Sequence, residues 1–287
     1  MAEMIEIDCS ATSDPGQVRQ TNEDQFLIGD LRKSLMIYQT SLARQDHSRL
    51  FGDPQGRLLL VADGMGGMGG GRTASTVVVD TVVEYVVNVM PWFFRLDEAR
   101  EDDLRSQLET VVKQCEASVR RAAEQGEGAA KMGTTLTLAY VLWPRAYVVH
   151  AGDSRCYLFR DGSLRQVTRD QTLAQRLAEE RVLTAEQAEE SSWRNVLWSA
   201  IGGGAEELRP EVYKVELQVG DALLLCTDGL TKHVPDQEIG AVLASRASAD
   251  DACRRLVGLA NRGGGTDNVT VVVAGFAPRV DPDEAAA

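Results

Sequence analysis

Short apolar segments joined by very short links are the feature that most constrains the fold of this chain of 287 residues. Segments 134–142 and 146–150 are separated only by the tripeptide at 143–145, and Asp-Gly at 161–162 lies between CYLFR and SLRQVT. Links this short join antiparallel strands, because a parallel crossover needs about a dozen residues. Further segments rich in Val, Leu, Thr and Tyr have the composition of strands: 58–62, 156–159, 222–226 and 268–274. The chain therefore predicts antiparallel sheets.

Helical periodicity occurs in blocks between these strands. Apolar residues recur at helical spacing over 73–89 and over 97–124, and segment 250–261 precedes the last strand. The charged segment 171–190 also favours a helix and interrupts the strand pattern, so we expect it to form a surface excursion. Strands grouped in blocks, with helices between the blocks, predict an α+β layered domain, with the first 12 residues as an edge strand.

Composition excludes several classes of function. Acidic residues outnumber basic ones by 43 to 30, a net charge of −13, which argues against nucleic acid or an anionic membrane as the main partner. We expect no membrane span and no secretory signal, since no run approaches about 18 apolar residues and the N-terminus MAEMIEIDCS is acidic. Five scattered cysteines indicate a reducing, cytoplasmic setting, and three scattered histidines disfavour zinc. The acidic surplus either serves solubility or converges on a cation site.

Four aspartates stand at strand boundaries. Asp63, Asp153 and Asp228 each follow an apolar strand directly, and Asp267 immediately precedes one. In an antiparallel sheet the end of one strand lies beside the start of its neighbour, so the four carboxylates can gather at one edge. Such a cluster would bind hard cations, and carboxylate oxygens select Mg²⁺ or Mn²⁺. The alternative is that Asp and Gly merely form good turns after strands.

A pair of divalent ions suits phosphate-ester hydrolysis, because the ions activate water and neutralise phosphoryl oxygens. An arginine beside them can hold a phosphate through two parallel hydrogen bonds. Arg19, in the segment SDPGQVRQTNED, is the candidate, because Glu23 and Asp24 follow closely. Taken alone, an arginine such as Arg19 is most often a surface arginine.

Two further patterns have competing interpretations. Segment 64–69 satisfies the dinucleotide pattern GxGxxG between a strand and a helix, but Asp63 would repel a pyrophosphate and the chain lacks alternating βαβ units. Cys115 and Arg121 have the spacing of thiol phosphatases, but they lie in a helical pattern without a glycine-rich phosphate cradle. We therefore expect the glycines to allow a tight turn and Cys115 to be a core residue.

Several motifs together resemble one family. SDPGQVRQTNED, VADGMGG, MGTTL, HAGDSRCYL, LLLCTDGL and GGTDNVTVVV occur in the order found in the PPM family, the metal-dependent phosphatases of the protein phosphatase 2C type. The resemblance spans about residues 8–276, and the Met in DGMGG resembles the bacterial branch. It implies a four-layer α-β-β-α sandwich, in which two antiparallel sheets are flanked by helices and the metals lie in a cleft at one end.

The resemblance also implies a role for each motif residue. Asp63 would bridge two Mn²⁺ or Mg²⁺ ions, and the carbonyl of Gly64 would complete one site. Asp228 and Asp267 would bind the other ion. A water or hydroxide between the two ions would then attack the phosphorus of phosphoserine or phosphothreonine in proteins.

Four other residues would assist. Glu23 and Asp24 would act mostly through metal-bound waters, and Arg19 would bind the substrate phosphate. Asp153 would hold a third, weaker ion together with Asp228.

The expected organisation is a single catalytic domain over 1–278 with a tail over 279–287 that we expect to be flexible. Segment 171–200 corresponds to the flap of the family, which lies beside the cleft and influences substrate choice. Segment 30–57 is longer than in typical members, and we expect it to form an extended hairpin insertion.

Three positions depart from the family pattern. Met65 stands where animal members have a histidine proposed as general acid, so protonation of the leaving group needs another source. Arg72 and Gln171 replace a common glutamate and a frequent histidine. Neither position is a metal ligand in the family pattern, so the departures affect substrate details more than activity.

The expectation is thus a cytoplasmic, monomeric phosphatase whose partners are phosphorylated proteins, including a serine/threonine kinase or the substrates of that kinase. A catalytically weak regulator that binds phosphoproteins on the same fold is the main alternative. A nucleotide-dependent oxidoreductase would depend on the glycine loop alone.

Overall fold

Two antiparallel sheets form the centre of the computed structural model, which describes residues 5–39, 48–67, 69–91, 98–203, 208–245 and 247–279. The first sheet has five strands in the order β1 (Ile5–Asp14), β13 (Val269–Pro278), β12 (Ala222–Cys226), β8 (Arg155–Arg160) and β9 (Ser163–Gln166). The second has the order β11 (Glu211–Glu216), β7 (Arg145–Ala151), β6 (Leu136–Leu142), β3 (Ser48–Ala62) and β2 (Gln25–Ile37). A small sheet joins β10 (Ile201–Gly202), β5 (Gly133–Thr134) and β4 (Gly64–Met65).

Helices cover the outer faces of both sheets. The long helices are α1 (Gly70–Asn88) and α2 (Glu98–Glu124), and α6 (Asp236–Ala244) and α7 (Ala249–Arg262) lie in the C-terminal part. The shorter helices are α3 (Leu173–Glu179), α4 (Ala185–Glu190) and α5 (Asp228–Thr231), and Ser192–Asn195 forms a 3-10 helix. No helix in the described parts of the chain is long and apolar enough to span a membrane.

Three apolar cores separate the four layers. Alternate residues of β3 face opposite ways: Leu59 packs between the two sheets, whereas Leu60 packs against α1 and α2. On the other side of the molecule, Leu224 of the first sheet packs with Leu256 of α7. Both faces of a central strand are therefore buried, which explains continuous apolar runs such as LLLVA. The predicted four-layer α-β-β-α sandwich is confirmed.

The helices differ in detail from the sequence prediction. The predicted helices 73–89, 97–124 and 250–261 occur within three residues of their expected bounds, as α1, α2 and α7. The charged segment 171–190 forms two short helices, because Thr172 and Thr184 each cap a new helix start. Helices α5 and α6 were not predicted.

The hairpin of β2 and β3 extends beyond the second sheet. The two strands pair as far as Ile37 and Ser48, with a register irregularity at Arg32, whereas β6 pairs with β3 only over 57–61. Phe51, on the projecting part, is 64% exposed. The described part of segment 30–57 therefore forms an arm at the end of the second sheet opposite Asp63. Residues 40–47 of the predicted insertion and 280–287 of the predicted tail lie outside the described residues.

Candidate metal centre

Strand pairing brings the four strand-boundary aspartates to one end of the molecule. Asp63 follows the end of β3, beside the start of β2, because Ala62 pairs with Gln25. In the first sheet Cys226 pairs with Val271, so the end of β12, where Asp228 begins α5, lies beside the start of β13, which Asp267 precedes. The aspartates from the two sheets face each other across the end of the sandwich.

Asp24 is the most deeply buried acid of this cluster, with 4% of its surface exposed. Its Oδ2 accepts hydrogen bonds from the hydroxyls of Thr227, at 2.9 Å, and Thr270, at 2.8 Å. Both threonines lie at the ends of first-sheet strands, so they fix an acid from the start of the second sheet. Asp24 Oδ1 is buried and has no hydrogen-bond partner among the described residues.

Asp63 is positioned through its backbone. Its N–H donates to Thr135 Oγ1 at 3.0 Å, and its carbonyl accepts from the N–H of Thr135 at 3.0 Å and from Thr134 Oγ1 at 2.8 Å. The hydroxyl of Thr135 lies 2.7 Å from that of Ser154, the residue after Asp153. The MGTTL segment thus couples the positions of Asp63 and Asp153.

Asp228 and Asp267 share one lysine. Lys232 Nζ lies 2.5 Å from Asp228 Oδ2 and 2.8 Å from Asp267 Oδ2. Arg19 Nε lies 2.9 Å from the other oxygen, Asp267 Oδ1, and the Arg19 side chain is 57% exposed. Asp228 Oδ1 is buried and unpaired within the described residues. The two carboxylates are therefore close enough to bind one cation between them.

Burial and mutual repulsion raise the pKa of three of these acids. Burial is the largest cause for Asp24, whose pKa rises to about 7, and for Asp153, whose pKa rises to about 8; the charge of Asp228 adds to both shifts. The pKa of Asp63 is raised well above its ordinary value by burial and then by the charges of Asp24 and Asp228. For Asp267, burial opposes ionisation, but Lys232, Arg19 and the N–H of Asn268 together more than compensate, so the pKa is lowered. A cluster with these shifts favours a bound cation.

One asparagine fixes the loop that carries Arg19 and Glu23. Asn268 Oδ1 accepts from the N–H of Glu23 at 2.9 Å, while its Nδ2 donates to the carbonyls of Pro15 at 3.1 Å and Thr21 at 2.9 Å. Asn268 follows Asp267 directly. It therefore fixes the loop of Arg19, the candidate for phosphate binding, relative to Asp267, a candidate metal ligand.

The glycine loop brings backbone segments into direct contact. A Cβ on Gly71 would lie 2.5 Å from the carbonyl carbon of Gly64 and 2.6 Å from Glu23 Oε2. A Cβ on Gly64 would in turn lie 2.4 Å from the carbonyl oxygen of Gly71. Only glycine allows this approach, so the loop holds Gly64 and the Glu23 carboxylate together.

A cleft of about 960 Å³ opens beside the acids. Asp153, Asp228 and Lys232 form its inner wall, and α3, α4 and the 3-10 helix form the outer wall. An isolated antiparallel β-bridge pairs Thr172 with Leu197, so the two ends of the outer-wall segment lie side by side. Its base is joined to the loop of Asp153, since the N–H of Gly152 donates to the side-chain oxygen of buried Gln171 at 3.1 Å.

The donor set fits divalent cations such as Mg²⁺ or Mn²⁺. Two buried carboxylate oxygens, on Asp24 and Asp228, lack partners among the described residues, and all candidate ligands are oxygen atoms. No three His, Cys, Asp or Glu side chains within those residues already surround a single point. Lys232 pairs with Oδ2 of Asp228 and of Asp267, and Arg19 pairs with Asp267 Oδ1, so an ion bound through those oxygens would displace these contacts.

Comparison with known proteins decides the family. The model of the family described as protein phosphatase 2C matches residues 36–260. The chain belongs to this family. PstP of Mycobacterium tuberculosis, a serine/threonine protein phosphatase, is 36% identical over 265 residues, which are 92% of this chain and 44% of the relative. The chain thus spans less than half the length of that relative. The protein phosphatase PhpP of Streptococcus pneumoniae is 32% identical over 238 residues, 80% of this chain and 90% of PhpP.

Solved structures of the phosphatase 2C family share the fold. A crystal structure of PstP from Mycobacterium tuberculosis superposes with a TM-score of 0.75 at 32% identity and covers 96% of this chain and 100% of that one. A structure of the PstP catalytic domain in complex with two manganese ions gives a TM-score of 0.72 at 31% identity, with the same coverage. The resemblance inferred from the ordered motifs is confirmed.

The glycine pattern at 64–69 and the Cys115–Arg121 spacing both serve the fold of this phosphatase 2C chain and form neither a dinucleotide site nor a thiol-phosphatase site. The glycine loop joins β4 of the small sheet to α1, and the large sheets are antiparallel, unlike a dinucleotide-binding domain. Cys115 is fully buried and burial raises the pKa of its thiol to about 12, so it cannot act as a thiolate. It is a core residue, as expected.

The structure brings all the predicted site residues to this end of the fold, and it adds others that the sequence analysis missed. The additions are Lys232, Thr227, Thr270 and Asn268, which contact the acids or their loops. Their adjacency to the aspartates in LLLCTDGLTK and GGTDNVT was the available signal. Only the packing of the two sheets shows that these residues contact the acids or their loops.

Proposed function

We propose that this chain is a Mg²⁺- or Mn²⁺-dependent phosphatase that hydrolyses phosphoserine and phosphothreonine in proteins. The observation that carries the proposal is the cluster of acids from both sheets, in which one buried oxygen of Asp24 and one of Asp228 lack partners among the described residues. Asp153 and Asp228 of this cluster line a cleft. Membership of the phosphatase 2C family supports it, as do the names of the relatives.

Two ions are proposed, as in the PstP structure with two manganese ions. Asp63, which belongs to the second sheet, would bridge them, with the Gly64 carbonyl on one side and Asp228 and Asp267 on the other. When bound, the ions supply an activated water and neutralise phosphoryl charge. The chain itself contributes placement: threonines and glycines at strand ends hold these groups in position before the substrate arrives.

The remaining residues have supporting roles in the proposal. Arg19, whose side chain is 57% exposed, would hold two phosphate oxygens. Glu23 and Asp24 would act through bound waters. A third ion at Asp153 would be the weakest, because it would share Asp228 with one of the two core ions.

The substrates are proposed to be phosphorylated proteins, including a serine/threonine kinase or the targets of that kinase. A cleft of about 960 Å³ is large enough for a phosphorylated side chain with adjacent peptide, and the segment of α3 and α4 would contact the peptide. The chain is expected to act as a monomer in the cytoplasm.

Hydrolysis of p-nitrophenyl phosphate and of a phosphothreonine peptide in Mn²⁺ tests the proposal. Asp228→Asn should lower kcat/KM by about 100-fold or more, equivalent to about 2.7 kcal/mol of barrier, because it removes a charge from the centre. Asp80→Asn, on the exposed face of α1, is the matched control and should retain activity. Equal rates for the wild type and Asp228→Asn would reject the proposed phosphatase activity. Phosphopeptide binding without turnover would indicate instead a regulator that binds phosphoproteins.

A further inference from the structure

Lys232 occupies the position between the two carboxylates that are proposed to share one metal ion. Its Nζ is 2.5 Å from Asp228 Oδ2 and 2.8 Å from Asp267 Oδ2, and the lysine side chain is only 27% exposed. Arg19, the other cation here, contacts only Asp267, and through the opposite oxygen. The lysine ammonium is thus the one group, within the described residues, that pairs with both acids.

The backbone around Lys232 is held firmly. Its N–H donates to the carbonyl of Asp228 at 2.9 Å, at the end of α5. The next residue, His233, has its Nε2 2.8 Å from Thr266 Oγ1 and accepts from the N–H of Thr266 at 3.1 Å. Helix α5 and the loop of Asp267 are therefore joined independently of the lysine side chain, which can move without displacing either acid.

An ammonium and a divalent ion cannot occupy this position together. Mg²⁺ lies about 2.0–2.1 Å from its carboxylate oxygens, so an ion between Asp228 and Asp267 would overlap the ammonium. The two cations would also repel each other strongly at a separation of a few ångströms in a partly buried site. An ion bound through these two Oδ2 atoms therefore requires the ammonium to leave.

The cleft offers the displaced lysine an acidic destination. Asp153 lines the same cleft as Lys232, and the charge of Lys232 already acts on the Asp153 carboxyl. Asp170 and Asp236 also line the cleft, but Asp170 pairs with Arg155 and Asp236 accepts a hydrogen bond from Tyr157. An ammonium there would remain in the cleft, beside the place where a phosphorylated substrate is proposed to bind.

We infer that Lys232 is an exchangeable internal cation: it neutralises Asp228 and Asp267 in the metal-free protein, and the divalent ion displaces it into the cleft. The exchange lowers the affinity of the centre for metal, since each binding event must break both ion pairs. When no ion is bound, Lys232 also keeps the two acids together. The inference rests on the proposed metal centre.

Calorimetric titration with Mn²⁺ tests the exchange. Lys232→Met should bind Mn²⁺ about tenfold more tightly than the wild type, because one unit of like charge is removed a few ångströms from the ion in a partly exposed site. Lys232→Arg, which retains the charge, should stay close to the wild type. In EDTA, Lys232→Met should also melt at a lower temperature, because Asp228 and Asp267 then lack their shared partner.

Lys214→Met is the matched control. Lys214 also lies between two carboxylates, 2.8 Å from Glu101 and 3.7 Å from Glu216, but on β11 and outside the cleft. Its loss should leave Mn²⁺ affinity unchanged. Equal or weaker Mn²⁺ binding by Lys232→Met would overturn the exchange, while no Mn²⁺ binding by the wild type would reject the proposed centre itself.

A second measurement uses the wild type, so it does not depend on a variant that folds. Acetic anhydride labelling followed by peptide mass spectrometry reports how reactive each lysine is. Labelling of Lys232 should increase on addition of Mn²⁺, because the displaced side chain leaves a position where it is only 27% exposed and enters the open cleft, while labelling of Lys214 should not change. Equal labelling of Lys232 with and without Mn²⁺, under conditions where calorimetry shows binding, would contradict the inference.

Discussion

At the scale of single residues, the acids of the centre depend on the small groups that contact them. The hydroxyls of Thr227 and Thr270 stabilise the charged form of Asp24 through hydrogen bonds, yet burial still raises its pKa to about 7. Glycines at 64 and 71 allow a backbone contact that no side chain would permit. Substitution of such neighbours should therefore affect metal binding as strongly as substitution of a ligand.

Gly71→Ala should destabilise the protein and weaken Mn²⁺ binding, because its Cβ would collide with the backbone of Gly64 and with the Glu23 carboxylate. Inside a helix the same change is ordinarily favourable by up to about 1 kcal/mol. Gly240→Ala, in α6, is the control: its Cβ would meet only Leu164 Cβ at 3.6 Å, so it should not destabilise. Thermal melting and Mn²⁺ titration measure both effects, and a stabilised Gly71→Ala would contradict the close packing.

Asp24→Asn should stabilise the metal-free protein more at pH 8 than at pH 5. The folded pKa of Asp24 is raised from 3.8 to about 7, so its contribution to stability is fully present below pH 3.8 and is lost as pH rises towards 7. Asparagine imitates the protonated form and avoids this loss. Melting temperatures in EDTA at both pH values measure the difference, and an equal effect of the substitution at pH 5 and pH 8 would argue against the raised pKa.

At the scale of secondary-structure elements, short links and strand ends decide where the chemistry lies. The segment of α3, α4 and the 3-10 helix leaves the sheets at Gln171 and returns at Trp198, whose N–H donates to the Gln171 carbonyl at 3.0 Å. The side chain of Gln171 also joins this base to the loop of Asp153, and its Nε2 donates to the carbonyl of Arg209 at 3.0 Å. Gln171 thus sets the position of one wall of the cleft.

Gln171→Ala should raise KM for a phosphothreonine peptide several-fold while changing KM for p-nitrophenyl phosphate little, because the outer wall contacts only the larger substrate. The substitution leaves two backbone groups without partners, which costs about 1–3 kcal/mol per buried group. A lower melting temperature should accompany the change in KM. Gln114→Ala, exposed on α2, is the control. Equal changes in KM for both substrates would show that the wall does not discriminate between them.

At the scale of the whole molecule, the proposed centre joins the two sheets. Asp63 belongs to the second sheet, whereas Asp228 and Asp267 flank strands of the first, and the cluster lies at the end of the core between them. A cation held by all three would oppose separation of the two sheets. Metal binding should therefore stabilise the entire fold, including the core far from the site.

Mn²⁺ at 100 times its dissociation constant should stabilise the protein by about 2.7 kcal/mol for each site. For a chain of 287 residues that corresponds to a rise in melting temperature of roughly 4–5 °C per site. Differential scanning calorimetry with Mn²⁺ and with EDTA measures the rise. Asp228→Asn should show a much smaller rise, and an equal rise in both proteins would indicate that Mn²⁺ binds elsewhere.

The amino-acid sequence by itself determined two antiparallel hairpins, β6 with β7 and β8 with β9, and the position of each acid at a strand end. Links of two or three residues leave no other way to join strands, and an acid directly after a strand must lie at the edge of the sheet, so the positions of Asp63, Asp153 and Asp228 followed from local rules. Only the tertiary structure decided what contacts them. Lys232 meets Asp267, and Thr270 meets Asp24, across separations of 35 and 246 residues. No periodicity encodes such contacts, because they arise where two independently patterned sheets pack face to face.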